Sequence, residues 1–77
     1  MKYNKDNILG VVFKSGGLYK ITAIKGVDIS LQGVDYKHNP TEWSHDSLYS
    51  VEEAISYLND GNWEVQKSIN TQLPIFN

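Results

Sequence analysis

The fold is decided at residues 49–61, which read YSVEEAISYLNDG. Ser50 is placed to cap a helix, because its hydroxyl can accept a hydrogen bond from the N–H of Glu53 while the Glu53 carboxylate accepts one from the N–H of Ser50. Four apolar residues at helical spacing then share one face: Val51, Ala54, Ile55 and Leu58. Gly61 supplies the left-handed conformation on which helices commonly end. These signals predict an amphipathic helix over residues 51–60.

Glycine turns divide the first part of the chain into strands. Residues 8–13 are apolar and β-branched, which predicts a first strand with a bend or bulge at Gly10. The glycines at positions 16 and 17 allow a tight turn, so that residues 18–24 are predicted to return as a second strand.

The third predicted strand, residues 27–32, shows the clearest alternation and follows a turn at Lys25-Gly26. Val27, Ile29 and Leu31 are expected to face the core, while the polar residues between them face solvent. Residues 34–37 are predicted to continue this strand after a bulge at Gly33.

Residues 38–47 are predicted to be the least regular part of the chain, because the Asn39-Pro40 pair disfavours a helix and indicates a turn. Residues 47–49 are predicted to add a short strand before the helix. Alternation predicts a last strand over residues 63–69, with Trp63, Val65 and Ile69 on one face.

This order of elements predicts an α+β fold that is mainly β, in a single small domain spanning residues 1–77. Two arrangements fit. One is a small curved antiparallel sheet or barrel of the SH3-like or OB-like kind, with about five strands. The other is an open antiparallel sheet with the helix packed on one face. In either case the apolar stripe of the helix is expected to meet the following residues: Ile21, Ile29, Leu31 and Val65.

Composition excludes several classes of protein. The chain has no cysteine, which excludes disulfides and thiolate metal sites. It has neither an apolar run long enough for a transmembrane helix nor a signal-peptide pattern, so a cytoplasmic protein is expected. Arginine, the usual residue for bidentate recognition of phosphate, is also absent. Residues 1–37 hold six of the seven lysines, whereas residues 38–77 hold six of the nine acids.

Catalytic and metal signatures do not stand out in the sequence. The one group of candidate metal ligands is His38, Glu42, His45 and Asp46, which we interpret as an ordinary polar loop. A nucleophile elbow and a phosphate-binding glycine loop are both missing. The chain is therefore expected to be no enzyme and to hold no metal or cofactor.

Aromatic residues supply the candidate binding site. Tyr36 and Trp43 flank the irregular segment, and exposed aromatics on a loop are favoured anchors for a partner. Trp43 fits two descriptions equally well, an exposed anchor or a lid over the small core. The predicted binding surface combines the aromatic segment with the polar side of the helix: Tyr36, His38, Trp43, His45, Glu52, Glu53 and Tyr57.

Two stretches resemble a known family. Residues 13–31 read FKSGGLYKITAIKGVDISL, and residues 50–63 read SVEEAISYLNDGNW. Their pattern of glycines and apolar residues is similar to that of small SH3-like barrel proteins from bacteria and their phages. The resemblance implies a non-enzymatic phage or prophage accessory or interaction protein, and it carries over no site residues.

The favoured hypothesis is a small non-catalytic protein-binding module, such as an inhibitor acting on a host or partner protein. One alternative is a single-stranded nucleic-acid or nucleotide binder that uses Tyr19, Tyr36 and the lysines of the first half: Lys14, Lys20, Lys25 and Lys37. Another is a self-assembling structural subunit, a homo-oligomer joined through the apolar C-terminal residues 73–76.

Overall fold

A computed structural model of the chain describes residues 2–67. The described elements follow in the order β1 (Val12–Lys14), β2 (Leu18–Lys25), β3 (Asp28–Val34), β4 (Pro40–Ser50), α1 (Val51–Asp60) and β5 (Glu64–Gln66). All neighbouring strands are antiparallel, in the sheet order β4-β3-β2-β1-β5. The mainly β class with one helix is thus confirmed for the described residues. Their sheet is open, because β4 and β5 form its two edges.

Helix α1 forms as its local signals predict. The hydroxyl of Ser50 accepts a hydrogen bond from the N–H of Glu53 at 3.1 Å, and a Glu53 carboxylate oxygen accepts one from the N–H of Ser50 at 2.9 Å. Gly61 ends the helix with a φ of 88°. The apolar stripe faces the sheet, with Ile55 half-buried and three residues buried: Val51, Ala54 and Leu58.

The core lies between this stripe and one face of the sheet. It contains Ile21, Ile29 and Leu31, as predicted, together with Ile8, Phe13 and Trp63. The expected core position of Val65 is wrong, because its side chain is 37% exposed. Val65 belongs to a three-residue edge strand, where it pairs with Phe13.

Strand β1 is shorter than predicted because the chain turns at Gly10. That residue has a φ of 87°, so the predicted bend is confirmed and residues 8–11 lie outside the strand. The carbonyl of Ile21 accepts a hydrogen bond from the N–H of Gly10 at 2.7 Å, which holds the turn against β2. Ile8 is nevertheless fully buried.

Val27 does not face the core, and that prediction is wrong. Lys25 pairs with Asp28, which leaves Gly26 and Val27 as the two residues of the hairpin turn. Gly26 has a φ of 66°, the conformation that such a tight turn requires at its first position. Val27 therefore lies at the tip, where it is 75% exposed.

One further prediction is wrong at the end of β3. The strand stops at Val34 instead of continuing to residue 37, because Asp35 begins a turn closed by a hydrogen bond of 2.9 Å from its N–H to the carbonyl of Asn39. The Asn39 N–H and then the Lys37 N–H donate to the Asp35 carboxylate, and these bonds hold the pKa of that carboxyl below its ordinary value.

The segment predicted to be irregular, residues 38–47, mostly belongs to β4 instead. Pairing with β3 supplies the strand structure that the local sequence does not indicate. Pro40 is tolerated because it begins the strand, and β4 is an edge of the sheet. The predicted strand at residues 47–49 is confirmed as the end of β4. The last strand is limited to Glu64–Gln66, and residues 68–77 lie outside the described part of the chain.

Within residues 2–67, no helix combines the length and the apolar character needed to cross a lipid bilayer.

Candidate functional site

Aromatic rings contact one another in a continuous series across the helix-facing side of the sheet. We call this set the aromatic series; it runs His45, Trp43, Tyr19, Phe13, Trp63, Tyr49 and Tyr57. Its members come from three strands, the helix and the residue before β5. The series therefore joins the buried core to the exposed surface of β4.

The inner part of the series belongs to the core or packs against it. Phe13 and Trp63 stack with ring centroids 3.9 Å apart and planes within 3° of parallel, and both side chains are buried. The ring of Tyr49 meets Trp63 edge to face at 5.0 Å. Tyr57, expected on the polar side of the helix, is half-buried, since its ring lies 5.1 Å from Trp63 and 5.9 Å from Tyr49.

The outer part of the series reaches solvent through Trp43. Its ring meets Tyr19 edge to face at 5.0 Å, yet the side chain remains 41% exposed. His45, two residues along β4, lies on the same side of the strand, with its ring 6.2 Å from that of Trp43. Trp43 thus combines the two descriptions that the sequence left open, because it packs on a core-facing ring and keeps part of its surface free.

A small cavity of about 90 Å³ opens within this series. Five of the eight lining residues are aromatic: Phe13, Tyr19, Trp43, Tyr49 and Trp63. Ser15, Leu31 and Leu48 complete the lining, and none of the eight carries a charge at neutral pH. We call this space the aromatic cavity.

Leu48 stands at the mouth of the aromatic cavity because β4 is irregular there. Tyr49 pairs with Ile29 and Asp46 with the next residue, Ser30, so Ser47 and Leu48 have no partner on β3. Ser47 has a φ of 65°, which is uncommon for a residue other than glycine. Leu48 is 45% exposed and, like Trp43, adds apolar surface to the lining of the aromatic cavity.

The backbone at Trp43 is held by a second irregularity. Gln32 pairs with Ser44 and Val34 with Pro40, so Gly33 alone stands opposite three residues of β4. The side-chain amide of Gln32 donates to the carbonyl of Thr41 at 2.8 Å and lies 2.9 Å from the carbonyl of Trp43. A Cβ atom on Gly33 would lie 2.6 Å from Thr41 Oγ1 and 3.2 Å from Trp43 Cβ. Glycine is therefore required for this close approach.

The structure brings only part of the predicted binding surface together. Trp43, His45 and Tyr57 belong to the aromatic series. Tyr36 lies apart, at the turn after β3, with its side chain 75% exposed and Lys37 Nζ 5.7 Å from its ring centroid.

His38 lies at a different cavity, on the other face of the sheet. Val12 pairs with both Lys20 and Gln66, whereas Phe13 pairs with Tyr19. Since side chains alternate along strands, Lys20 lies opposite to the aromatic series. His38 and Lys20 both line a shallow cavity of about 380 Å³ there.

Glu52 and Glu53 are exposed on the first turn of α1. Glu53 is engaged in the capping box, and Glu52 borders a third, shallow cavity together with Val27 and Ile55. Among the described residues, neither glutamate lines the aromatic cavity.

Sequence reasoning missed three residues that line the cavity, Ser15, Leu48 and Tyr49. Leu48 and Tyr49 reach it at the irregular end of β4, where Ser47 and Leu48 have no partner on β3, and no local pattern indicates that irregularity. Phe13 and Trp63 are buried core residues, and Tyr19 is partly buried against them. Their additional role as cavity walls depends on contacts between positions far apart in the sequence.

Electrostatic interactions are modest around β4. The Ser30 hydroxyl and then the Lys25 ammonium lower the pKa of the Asp46 carboxyl, and Lys25 Nζ lies 3.7 Å from Asp46 Oδ2. Ser30 Oγ forms no hydrogen bond within residues 2–67. We therefore attribute the lowering of the Asp46 pKa by Ser30 to the dipole of its nearby hydroxyl group. Lys25 and Asp46 are both exposed, and their ion pair contributes little stability.

The polar residues near position 40 do not converge on a metal. Across residues 2–67, no three histidine, aspartate or glutamate side chains lie close enough to hold an ion. His38 and His45 border different faces of the sheet.

Comparisons of the chain with protein-family models, with curated proteins and with solved structures gave no match.

Proposed function

We propose that this chain is a small non-catalytic protein-binding module, and that its contact surface is the mouth of the aromatic cavity. The observation that carries the proposal is the pair of partly exposed side chains, Trp43 and Leu48, that line a small aromatic recess. Binding energy in protein interfaces is concentrated in such anchors, which fill or border pockets and are enriched in tryptophan.

Rigid placement of Trp43 supports this proposal. The ring rests on Tyr19, and the backbone is fixed by Gln32 and by the close approach of Gly33. An anchor that is already ordered loses little conformational entropy when a partner binds. We therefore interpret Trp43, which remains 41% exposed, as a contact for a partner and not only as a lid over the core.

The resemblance of residues 13–31 and 50–63 to small SH3-like barrel proteins of bacteria and their phages supports a more specific role. We extend the proposal to a sheet curved in the SH3-like manner, in a phage or prophage accessory protein that inhibits or assists a host protein in the cytoplasm.

A protein partner is favoured over single-stranded nucleic acid. Stacking of bases on aromatic rings requires cations nearby to contact the phosphates. Of the residues described, no lysine lines the aromatic cavity, and Lys20 lies on the opposite face. Lys25 is paired with Asp46.

Selection from a yeast-displayed library of random peptides tests the proposal. We expect the immobilised protein to enrich peptides that share an apolar or aromatic position. Trp43→Ala should weaken their binding by about 30-fold, the effect of losing an interface anchor. Fluorescence anisotropy of labelled selected peptides measures the dissociation constants.

Tyr36→Ala is the matched control, because it removes an exposed aromatic ring that does not line the aromatic cavity and should leave the dissociation constants within about twofold. The proposal is overturned if no peptide is enriched, or if every enriched peptide binds the Trp43→Ala protein as tightly as the original. Salt-sensitive binding of a single-stranded oligonucleotide that competes with the peptides would reassign the site to nucleic acid.

A further inference from the structure

We propose that the aromatic cavity accepts a quaternary ammonium group carried on a side chain of the partner peptide, as in a trimethylated lysine. This inference rests on the proposed function and names the chemistry of the group that enters the recess. The ligand would be held by the faces of aromatic rings and would need no carboxylate inside the cavity.

The first argument is the orientation of the rings. Tyr19 and Trp43 meet at 63°, so these two walls of the cavity point in different directions. Tyr19, Trp43 and Tyr49 are the lining rings that keep exposed surface, because Phe13 and Trp63 are buried against each other. Each ring carries negative potential on its faces, and a cation within about 6 Å of several ring centroids is attracted by all of them. Crossed aromatic walls around a small space are the arrangement that suits a compact cation.

The second argument is size. The cavity of about 90 Å³ is small, so it admits the head group of a side chain and not a whole ligand. The remainder of a ligand must then lie outside, over Trp43 and Leu48, which favours a group at the end of a longer side chain.

The third argument is charge around the cavity. Four lining residues, Trp43, Leu48, Tyr49 and Trp63, come from the acidic second half of the chain, in which residues 38–77 hold six carboxylates and one lysine. Helical spacing places Glu53 and Asp60 on the side of α1 that carries Tyr57, whose ring contacts two of the lining rings. Carboxylates on this side of α1 favour the approach of a cation over that of an anion.

The neutral lining explains why the cation should be alkylated. A primary ammonium gives up strong hydrogen bonds to water when it is buried, and the residues lining this cavity include no carboxylate to replace them. Methyl groups weaken that hydration and present apolar surface to the rings, while the charge is retained. Trimethyllysine is thus expected to bind more tightly than lysine in the same peptide.

Nuclear magnetic resonance of the ¹⁵N-labelled protein tests this inference through the two tryptophan indole N–H signals. The probes are choline, its uncharged carbon isostere 3,3-dimethylbutan-1-ol, and one short peptide in trimethyllysine and unmodified lysine forms. We expect choline to shift both indole signals and to bind about tenfold more tightly than the isostere, as one cation–π interaction implies. The trimethyllysine peptide should bind more tightly than choline, because its backbone adds contacts at the mouth.

Trp43→Leu keeps an apolar side chain but removes one ring, so it should lower the affinity for choline about tenfold and leave that for the isostere nearly unchanged. Tyr36→Leu is the control and should alter neither. Equal binding of choline and the isostere to the unmodified protein would overturn the inference, whatever the variants do. Binding of choline as tight as that of the trimethyllysine peptide would overturn the peptide source.

Failure of all four probes would also overturn the inference. The proposed function would then still be decided by the peptide library, where Trp43-dependent peptides without a cation would support it.

Discussion

Substitution of Gly33 by alanine tests whether close packing of β3 against β4 holds Trp43 in place. The added Cβ would lie 2.6 Å from Thr41 Oγ1, 3.2 Å from Trp43 Cβ and 3.3 Å from the carbonyl oxygen of Trp43. Thr41 can rotate its side chain away, but the two atoms of Trp43 are tied to the backbone. The strands must therefore separate by several tenths of an ångström at this point.

Overpacking of this kind costs about 2 kcal/mol of folding free energy. For a chain of this size, that loss lowers the melting temperature by about 8–16 °C. Urea denaturation followed by tryptophan fluorescence gives the free energy of unfolding. We expect Gly33→Ala to lower it by that amount and to shift Trp43 emission to longer wavelength, since the ring is displaced from Tyr19.

Gly17→Ala is the matched control, because its Cβ would meet only the end of the Tyr19 side chain, at 3.0 Å from the hydroxyl oxygen. A side-chain end can move, so the expected loss is below about 0.5 kcal/mol. Thr41→Ala added to Gly33→Ala removes the shortest contact and should restore part of the stability. A Gly33→Ala protein within about 0.5 kcal/mol of the original would refute the reasoning.

Two further predictions concern the core and a turn. Leu58→Asp places a carboxylate on the buried stripe of α1, at a cost comparable to the whole stability of a small fold. Cooperative unfolding, followed by circular dichroism, should therefore be lost. Ser56→Asp, on the exposed side of the helix, is the control and should retain it. Asp35→Asn removes the carboxylate whose pKa is lowered by the Asn39 and Lys37 N–H groups. A lowered folded-state pKa stabilises the fold above the unfolded pKa and ceases to do so as the pH falls through the folded value. The melting temperature of Asp35→Asn should therefore lie below that of the original protein near pH 6, and the two should converge below pH ~4. A difference that stays constant down to pH ~2 would contradict this.

Local interactions account for what the sequence predicted well. The capping box, the apolar stripe and Gly61 all act within residues 50–61, so each can be recognised without knowledge of the rest of the chain. The core positions of Ile29 and Leu31 follow from strand alternation for the same reason.

The wrong predictions of burial concern residues that alternate like core residues but lie in a turn or in an edge strand. Val27 continues the alternation of β3 but lies in a two-residue turn. Val65 alternates correctly with Trp63, yet β5 is a short edge strand. Burial depends in both cases on what covers the residue, and covering elements are distant in sequence.

The helix at residues 51–60 was determined by the sequence itself, because the interactions that begin, align and end it span no more than a few turns. Only the tertiary structure decided that residues 40–50 form an edge strand, since that strand exists through pairing with β3. The aromatic cavity likewise depends on the tertiary structure. Its rings at positions 13, 19, 43, 49 and 63 meet through strand order and helix packing, and neither of these is encoded in any single local stretch.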